Sequence, residues 1–299
     1  MRFWNGLQHW VQGKLMALEA ETGWSVDELK RAPDKWLAAV GAMLLLGFLF
    51  AKSTAIDPDT HVHVTDQLRQ LRQVDSTLNQ YVLQARMGLL GNYDALVITQ
   101  QEALEVSSEM QARYPQLFGE NDGVLAIPMA HYIKARDDKN RLIEAFKSRN
   151  SVLRNSVRYF PMAAEQFIKS QGGEICVKTR MAVEDLERDI LIYNFNPSSE
   201  MRKEVLEHIE DLGNLITQDG DELRRAEMNA LVQHGGVVIG FKSEVDQLVA
   251  EIIAAPTVSS ADNLYNLYNQ YFEEQQLTAD MYRILLLLFA VVFFYYAVI

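Results

Sequence analysis

Apolar residues recur every three or four positions through most of the chain, and this spacing predicts helices rather than strands. From Leu68 to Leu89 they form one narrow stripe, which is typical of a helical bundle. The pattern pauses at residues 91–94, where we expect a turn, and a second helix is expected to reach about Arg113. Proline and glycine lie mostly between such segments. The sequence therefore predicts an all-α fold.

A pattern of sixteen residues occurs twice. Phe-Lys-Ser begins at Phe146 and at Phe241, and a leucine follows each phenylalanine by seven residues, a β-branched residue by eleven and a proline by fifteen. The repeat indicates a duplicated helical module, and each copy is expected to end its helix at its proline, Pro161 or Pro256.

Two stacked helical-bundle modules are therefore expected, residues 56–171 and residues 172–280. After the second proline, Ser259 or Ser260 is expected to cap the last helix.

Two apolar segments bracket these modules. Trp36 to Phe50 carries no charge, although it is slightly shorter than the roughly 20 residues of a spanning helix. Residues 284–299 are apolar throughout. We expect transmembrane helices at residues 36–53 and 281–299; the alternatives are a cleaved signal peptide at the first and a tail anchor at the second. The sequence stops inside the second segment, so we expect a longer native protein.

The distribution of charge predicts the topology. Residues 53–282 hold most of the acidic side chains, and a large acidic segment between two spans is usually exported. Residues 1–35 are expected to be a cytoplasmic extension, with an aromatic face near Trp4 that suits either a membrane-surface helix or packing within the extension. The prediction is a two-pass membrane protein with residues 55–280 on the exported side.

Composition excludes several classes of function. The net charge of −12 argues against nucleic acid as a partner, and the single cysteine excludes an internal disulfide or a cysteine zinc cluster. His61 and His63 are two positions apart and diverge on a helix, so no metal site is expected. We find no nucleophile–base pattern, phosphate-binding loop or dinucleotide motif, and expect neither a cofactor nor an active site in this chain.

Polar residues at or near the stripe of the first module are the candidates for ligand binding. Asn150 would either contact a ligand or fix the helix register by pairing with another buried polar group. Arg154 would either pair with Asp94 or bind a ligand carboxylate, and Tyr93-Asp94 would either cap a helix or contact the ligand. The full set of candidates is Arg86, Asn92, Tyr93, Asp94, Arg149, Asn150, Arg154 and Asn155.

These residues resemble the hallmarks of a known family. The segment 153–161, Leu-Arg-Asn-Ser-Val-Arg-Tyr-Phe-Pro, preceded by Phe-Lys-Ser, resembles the double all-helical ligand-binding (DAHL) sensor domain. So do residues 91–94, 254–257 and 282–286. The resemblance implies an extracytoplasmic sensor region of a bacterial signalling protein, commonly followed by histidine kinase modules, although no kinase motif occurs in this sequence.

Two functions are expected from these observations. The first is the ligand-sensing input of a transmembrane receptor. It would act as a homodimer, bind a small-molecule or protein signal and transmit a displacement of its helices across the membrane. The second is a membrane-anchored bundle that binds a partner protein and no small molecule.

Overall fold

The computed structural model describes residues 33–53, 57–170 and 176–298. All regular secondary structure in these ranges is helical, as the apolar spacing predicted. In chain order the helices are α1 (Pro33–Lys52), α2 (Pro58–Arg86), α3 (Asp94–Arg113), α4 (Pro115–Phe118), α5 (Ala126–Ser170), α6 (Val177–Phe195), α7 (Ser199–Gln218), α8 (Glu222–Ala254) and α9 (Thr257–Val298).

Residues 63–268 form one compact unit. Its two longest complete helices, α5 and α8, pack along each other; α6 packs against both, and α7 packs against α6 and α8. A continuous core of buried apolar side chains runs from Leu78 on α2 through Phe160 on α5 to Ile252 on α8. The predicted division between residues 171 and 172 lies at residues outside the described ranges, so the two-module boundary stays a prediction.

The prediction that Pro161 ends a helix is wrong, because this proline lies inside α5. A proline inside a helix removes one backbone hydrogen bond. Here Phe160 and Ala164 are both fully buried, so the side chains on either side of the proline are held by the core. Burial of this face therefore keeps the helix continuous to Ser170, where the repeat alone predicted a break.

The second copy of the repeat behaves as predicted. Helix α8 ends at Ala254, two residues before Pro256. The serine cap expected after this proline is wrong, since α9 already begins at Thr257 and the Ser259 hydroxyl donates to the Pro256 carbonyl oxygen at 3.1 Å.

Gly235 explains how α8 approaches its neighbours closely. A Cβ atom at this position would lie 3.1 Å from Ile190 Cδ1 and 3.3 Å from Ile209 Cδ1. At Gly236 and Gly240 a Cβ atom would meet open space. Helix α8 is continuous through all three glycines, so Gly235 serves close packing rather than a break in the helix.

The second compact unit contains described residues from both parts of the chain that flank the first unit, 33–53, 57–62 and 269–298. Within it α1 contacts the last part of α9, where the rings of Phe48 and Tyr282 lie 6.5 Å apart at 89°. Arg283 Nε donates to the Ser53 carbonyl oxygen at 3.1 Å. The predicted N-terminal aromatic face lies outside the described residues.

Among the described residues, one helix is long and apolar enough to cross a membrane, and its apolar end is the C-terminal part of α9. The apolar stretch Leu37–Lys52 is shorter than this length. The C-terminal helix is compatible with membrane association, as the sequence predicted, and the first predicted span stays a prediction.

Candidate functional site

The two copies of the repeat lie side by side in the fold. The Arg149 guanidinium on α5 sits 5.1 Å from the centre of the Phe241 ring on α8, and its Nε lies 3.3 Å from Glu244 Oε2. A cation over an aromatic ring is attracted by the negative face of the ring. The repeated segments thus form one contact surface between α5 and α8, which we call the repeat junction.

Asn150 is the most buried of the predicted ligand residues, with 2% of its surface exposed. Its Nδ2 donates to the Ala85 carbonyl oxygen at 3.2 Å and to the Tyr93 hydroxyl oxygen at 3.1 Å. The Tyr93 ring in turn lies edge-on to Phe146, with 6.5 Å between ring centres. Asn150 therefore ties α5 to the end of α2 and to the turn before α3.

Arg154 lies one helical turn after Asn150 and is half-buried. Its Nη1 donates to the Leu90 carbonyl oxygen at 2.7 Å, which holds the α2–α3 turn against α5. Asp94 instead accepts from the Asn92 side-chain amide at 2.6 Å. Within the described part of the chain, Arg154 therefore has a carbonyl partner and no carboxylate partner.

Arg86 pairs with a residue that the sequence assigned to the other module. Its Nε lies 2.6 Å from Asp246 Oδ1, and the second Asp246 oxygen accepts from Lys242, the lysine of the second Phe-Lys-Ser. The carboxylate thus bridges α2 and α8 at the repeat junction.

Burial and hydrogen bonding both shift the pKa values of Asp246 and Lys242. Burial alone would raise the pKa of Asp246, but hydrogen bonds from Arg86 and Lys242 outweigh it and hold that pKa below its usual range. Burial lowers the pKa of Lys242; the bond to Asp246 opposes this and the neighbouring Arg86 charge adds to it. The arrangement keeps Asp246 ionised between two cations.

Asn92 and Asn155 are the predicted ligand residues least involved in the contacts of Arg86, Asp246 and Lys242. Asn155 was placed on or beside the buried stripe, but its side chain is exposed, because it lies five residues after Asn150 and so turns away from the core. Asn92 Oδ1 accepts from the Asp94 backbone N–H at 3.2 Å, so Asn92 rather than Tyr93 supplies the side chain at the start of α3.

A second buried polar cluster was missed by the sequence reasoning. Lys139 on α5 is 1% exposed, and its Nζ lies 2.8 Å from Asp75 Oδ1 on α2 and 3.4 Å from Thr257 Oγ1 on α9. Three helices thus meet at one ammonium group. Burial lowers the pKa of Lys139 against the opposing effects of Asp75.

Further polar groups surround this pair. Arg136 on α5 donates to Ser107 on α3, and its Nη2 lies 2.8 Å from Asp137 Oδ1. Burial, with the charge of Asp75, raises the pKa of Tyr132, although the charge of Arg136 opposes it. We call these residues and the Lys139 pair the Asp75 cluster.

The sequence did contain a signal for this cluster. Lys139 lies four residues before Ile143 and seven before Phe146, which is a core position of α5. Asp75 lies between Leu71 and Leu78 at the same helical spacing. A lysine and an aspartate at core positions of two helices predict a buried ion pair, because an isolated buried charge is costly.

Comparison with known families identifies the chain. A family model described as the DAHL domain matches residues 56–283, which include both copies of the repeat and the predicted ligand residues. No curated protein and no solved structure matches the chain. A DAHL match indicates a sensor domain of a signalling protein. Since the matched residues make up most of its length, this chain belongs to the DAHL domain family.

Proposed function

We propose that this protein is the extracytoplasmic ligand-sensing region of a bacterial transmembrane receptor, the input half of a sensor histidine kinase. The DAHL match across residues 56–283 carries the proposal. In the proposed topology α1 and the end of α9 cross the inner membrane, residues 55–280 lie in the periplasm, and the receptor acts as a homodimer.

The helix α9 supports a route for the signal. It begins at Thr257, which is buried among the helices of the sensor, and is one helix to Val298. A ligand that binds one packing of the sensor helices better than another shifts the equilibrium between them, by no more than its difference in affinity. Displacement of α9 would then reach the output domain.

The ligand site is proposed beside the repeat junction, among the eight residues predicted from the sequence. Arg154 is its best-supported member, because its guanidinium is half-buried and engages only a carbonyl oxygen among the described residues. A guanidinium takes a carboxylate through two parallel hydrogen bonds. We therefore propose a ligand with a carboxylate group.

Ligand binding is tested with the full chain in detergent by thermal-shift measurements against a broad set of small metabolites. We expect stabilisation by a carboxylate compound, and Arg154→Gln is expected to weaken its binding about tenfold or more, which corresponds to about 1.4 kcal/mol. Arg158→Gln is the matched control, since Arg158 is exposed one turn further along α5.

Failure to find any stabilising compound across broad chemical classes would count against a small-molecule sensor. Stoichiometric co-purification of an exported protein with the full chain would instead support the bundle that binds a partner protein.

A further inference from the structure

A largely enclosed cavity of about 10 Å³ lies in the compact unit formed by residues 63–268, and its lining contains no residue of the repeat junction. Side chains from α2, α3 and α5 and the first residue of α9 surround it. Its apolar lining is Val74, Leu78 and Ala103, and its polar lining is Asp75, Tyr132, Arg136, Lys139, Asn140 and Thr257.

One carboxylate oxygen on this cavity has no hydrogen-bond partner among the residues that the structure describes. Asp75 is 7% exposed and its Oδ1 accepts from Lys139, whereas its Oδ2 is buried and accepts no hydrogen bond from these residues. Buried polar atoms in folded proteins are almost always hydrogen-bonded, to protein or to ordered water. The cavity therefore needs an occupant that donates a hydrogen bond to Asp75 Oδ2.

Charge and volume restrict this occupant. The lining charges are already balanced, since Asp75 pairs with Lys139 and Arg136 pairs with Asp137. A further buried ion would lack a counter-charge. A volume of about 10 Å³ is at the lower limit for one water molecule. The occupant is thus an uncharged donor the size of water.

We propose that the cavity is a binding site for one ordered water molecule, which donates to Asp75 Oδ2 and completes the Asp75 cluster. The hydroxyl groups of Tyr132 and Thr257 on the lining supply further hydrogen-bonding partners for this water. The water thereby takes part in joining α2, α5 and the first turn of α9. This inference does not depend on the proposed sensor function.

The proposal is tested by filling the cavity with Ala103→Val in the full chain. Displacing a hydrogen-bonded water leaves Asp75 Oδ2 unsatisfied, so we expect the melting temperature to fall by about 2–4 °C. The same substitution is also made in an Asp75→Ala, Lys139→Met background, where the lining has lost its ion pair. There the added methyl groups leave no carboxylate oxygen unsatisfied and fill part of the space left by the smaller side chain, so the melting temperature is expected to rise.

A rise in both backgrounds would show a dry cavity and overturn the proposal. A fall in both would show a steric clash and would also overturn it. A crystal structure of the full chain provides a second measurement that does not rely on a variant. It is expected to show one density peak at hydrogen-bond distance from Asp75 Oδ2, and an empty cavity there would contradict the proposal.

Discussion

At the scale of single residues, buried polar groups in this protein hold different helices together. Asn150 connects α5 to the α2–α3 turn, Asp246 connects α8 to α2, and Lys139 connects α5 to α2 and α9. A buried ion pair adds little net stability compared with an apolar pair, but removing one partner is strongly destabilising. These groups therefore favour one particular packing of the helices.

Lys139→Met tests this at the Asp75 cluster. The substitution leaves the Asp75 carboxylate buried without its cation, so we expect the free energy of unfolding to fall by about 3–5 kcal/mol. Urea unfolding of the full chain, followed by circular dichroism, measures the change. Lys134→Met on the exposed face of α5 is the control, expected within about 0.5 kcal/mol of the wild type. Equal effects of the two variants would contradict the assigned pair.

The pKa of Asp246 predicts an acid dependence. Because this pKa is lowered in the folded protein, the carboxylate contributes stability that is complete above its unfolded pKa of about 3.9 and is lost as the pH falls through the folded value. We expect the gap in melting temperature between the wild type and Asp246→Asn to be largest at pH 5 and to shrink below about pH 4.

Glu244→Gln is the control for this experiment, since Glu244 lies on the same helix and its side chain is 52% exposed in its pair with Arg149. The difference in melting temperature between the wild type and Glu244→Gln is expected to be small at every pH. A gap for Asp246→Asn that stays constant from pH 5 to pH 2.5 would argue against an ionised, hydrogen-bonded Asp246.

At the scale of elements, α5 takes part in the contacts of the predicted ligand residues, in the Asp75 cluster and in the apolar core. It carries the first copy of the repeat, the Asn150 and Arg154 side chains and the Lys139 pair, and its C-terminal half packs with α8 and α6. Its continuity through Pro161 places the segment 162–170 in the same core, with Ala164 and Phe167 buried.

Pro161→Ala is expected to stabilise the protein. Alanine restores the backbone N–H that proline lacks and removes the clash of its ring with the preceding turn, a penalty of up to about 3 kcal/mol in a helix interior. We expect a higher midpoint of urea unfolding. Pro128→Ala, in the first turn of the same helix, is the control and should change little. A lower midpoint for Pro161→Ala would mean that the proline ring itself is required by the packing.

At the scale of the whole molecule, the proposed function depends on which side of the membrane the compact unit of residues 63–268 occupies. The family match and the acidic composition both favour the periplasm, and the apolar end of α9 is compatible with a span. Cys176 is exposed at the start of α6 and is the single cysteine of the chain, so it reports the location of this unit.

We expect a membrane-impermeant maleimide to label Cys176 when only the outer membrane is permeable. The control carries Cys176→Ser with Ser25→Cys, which places the thiol in the predicted cytoplasmic extension and should react only after the inner membrane is opened. Labelling of Cys176 only after that step would contradict the proposed topology.

The sequence alone determined the all-helical fold, the C-terminal ends of α3 and α8, the repeat and the apolar C-terminal end, because these depend on local spacing and on composition. Burial of Phe146, Leu153 and Asn150 followed from the same spacing. Residues that lie far apart in the chain were paired only by the tertiary structure. Arg86 meets Asp246 across 160 positions and Lys139 meets Thr257 across 118, and no local pattern specifies which helix lies beside which. Tertiary packing also decided the continuity of α5 at Pro161, because burial on both sides of the proline outweighs its local preference to end a helix.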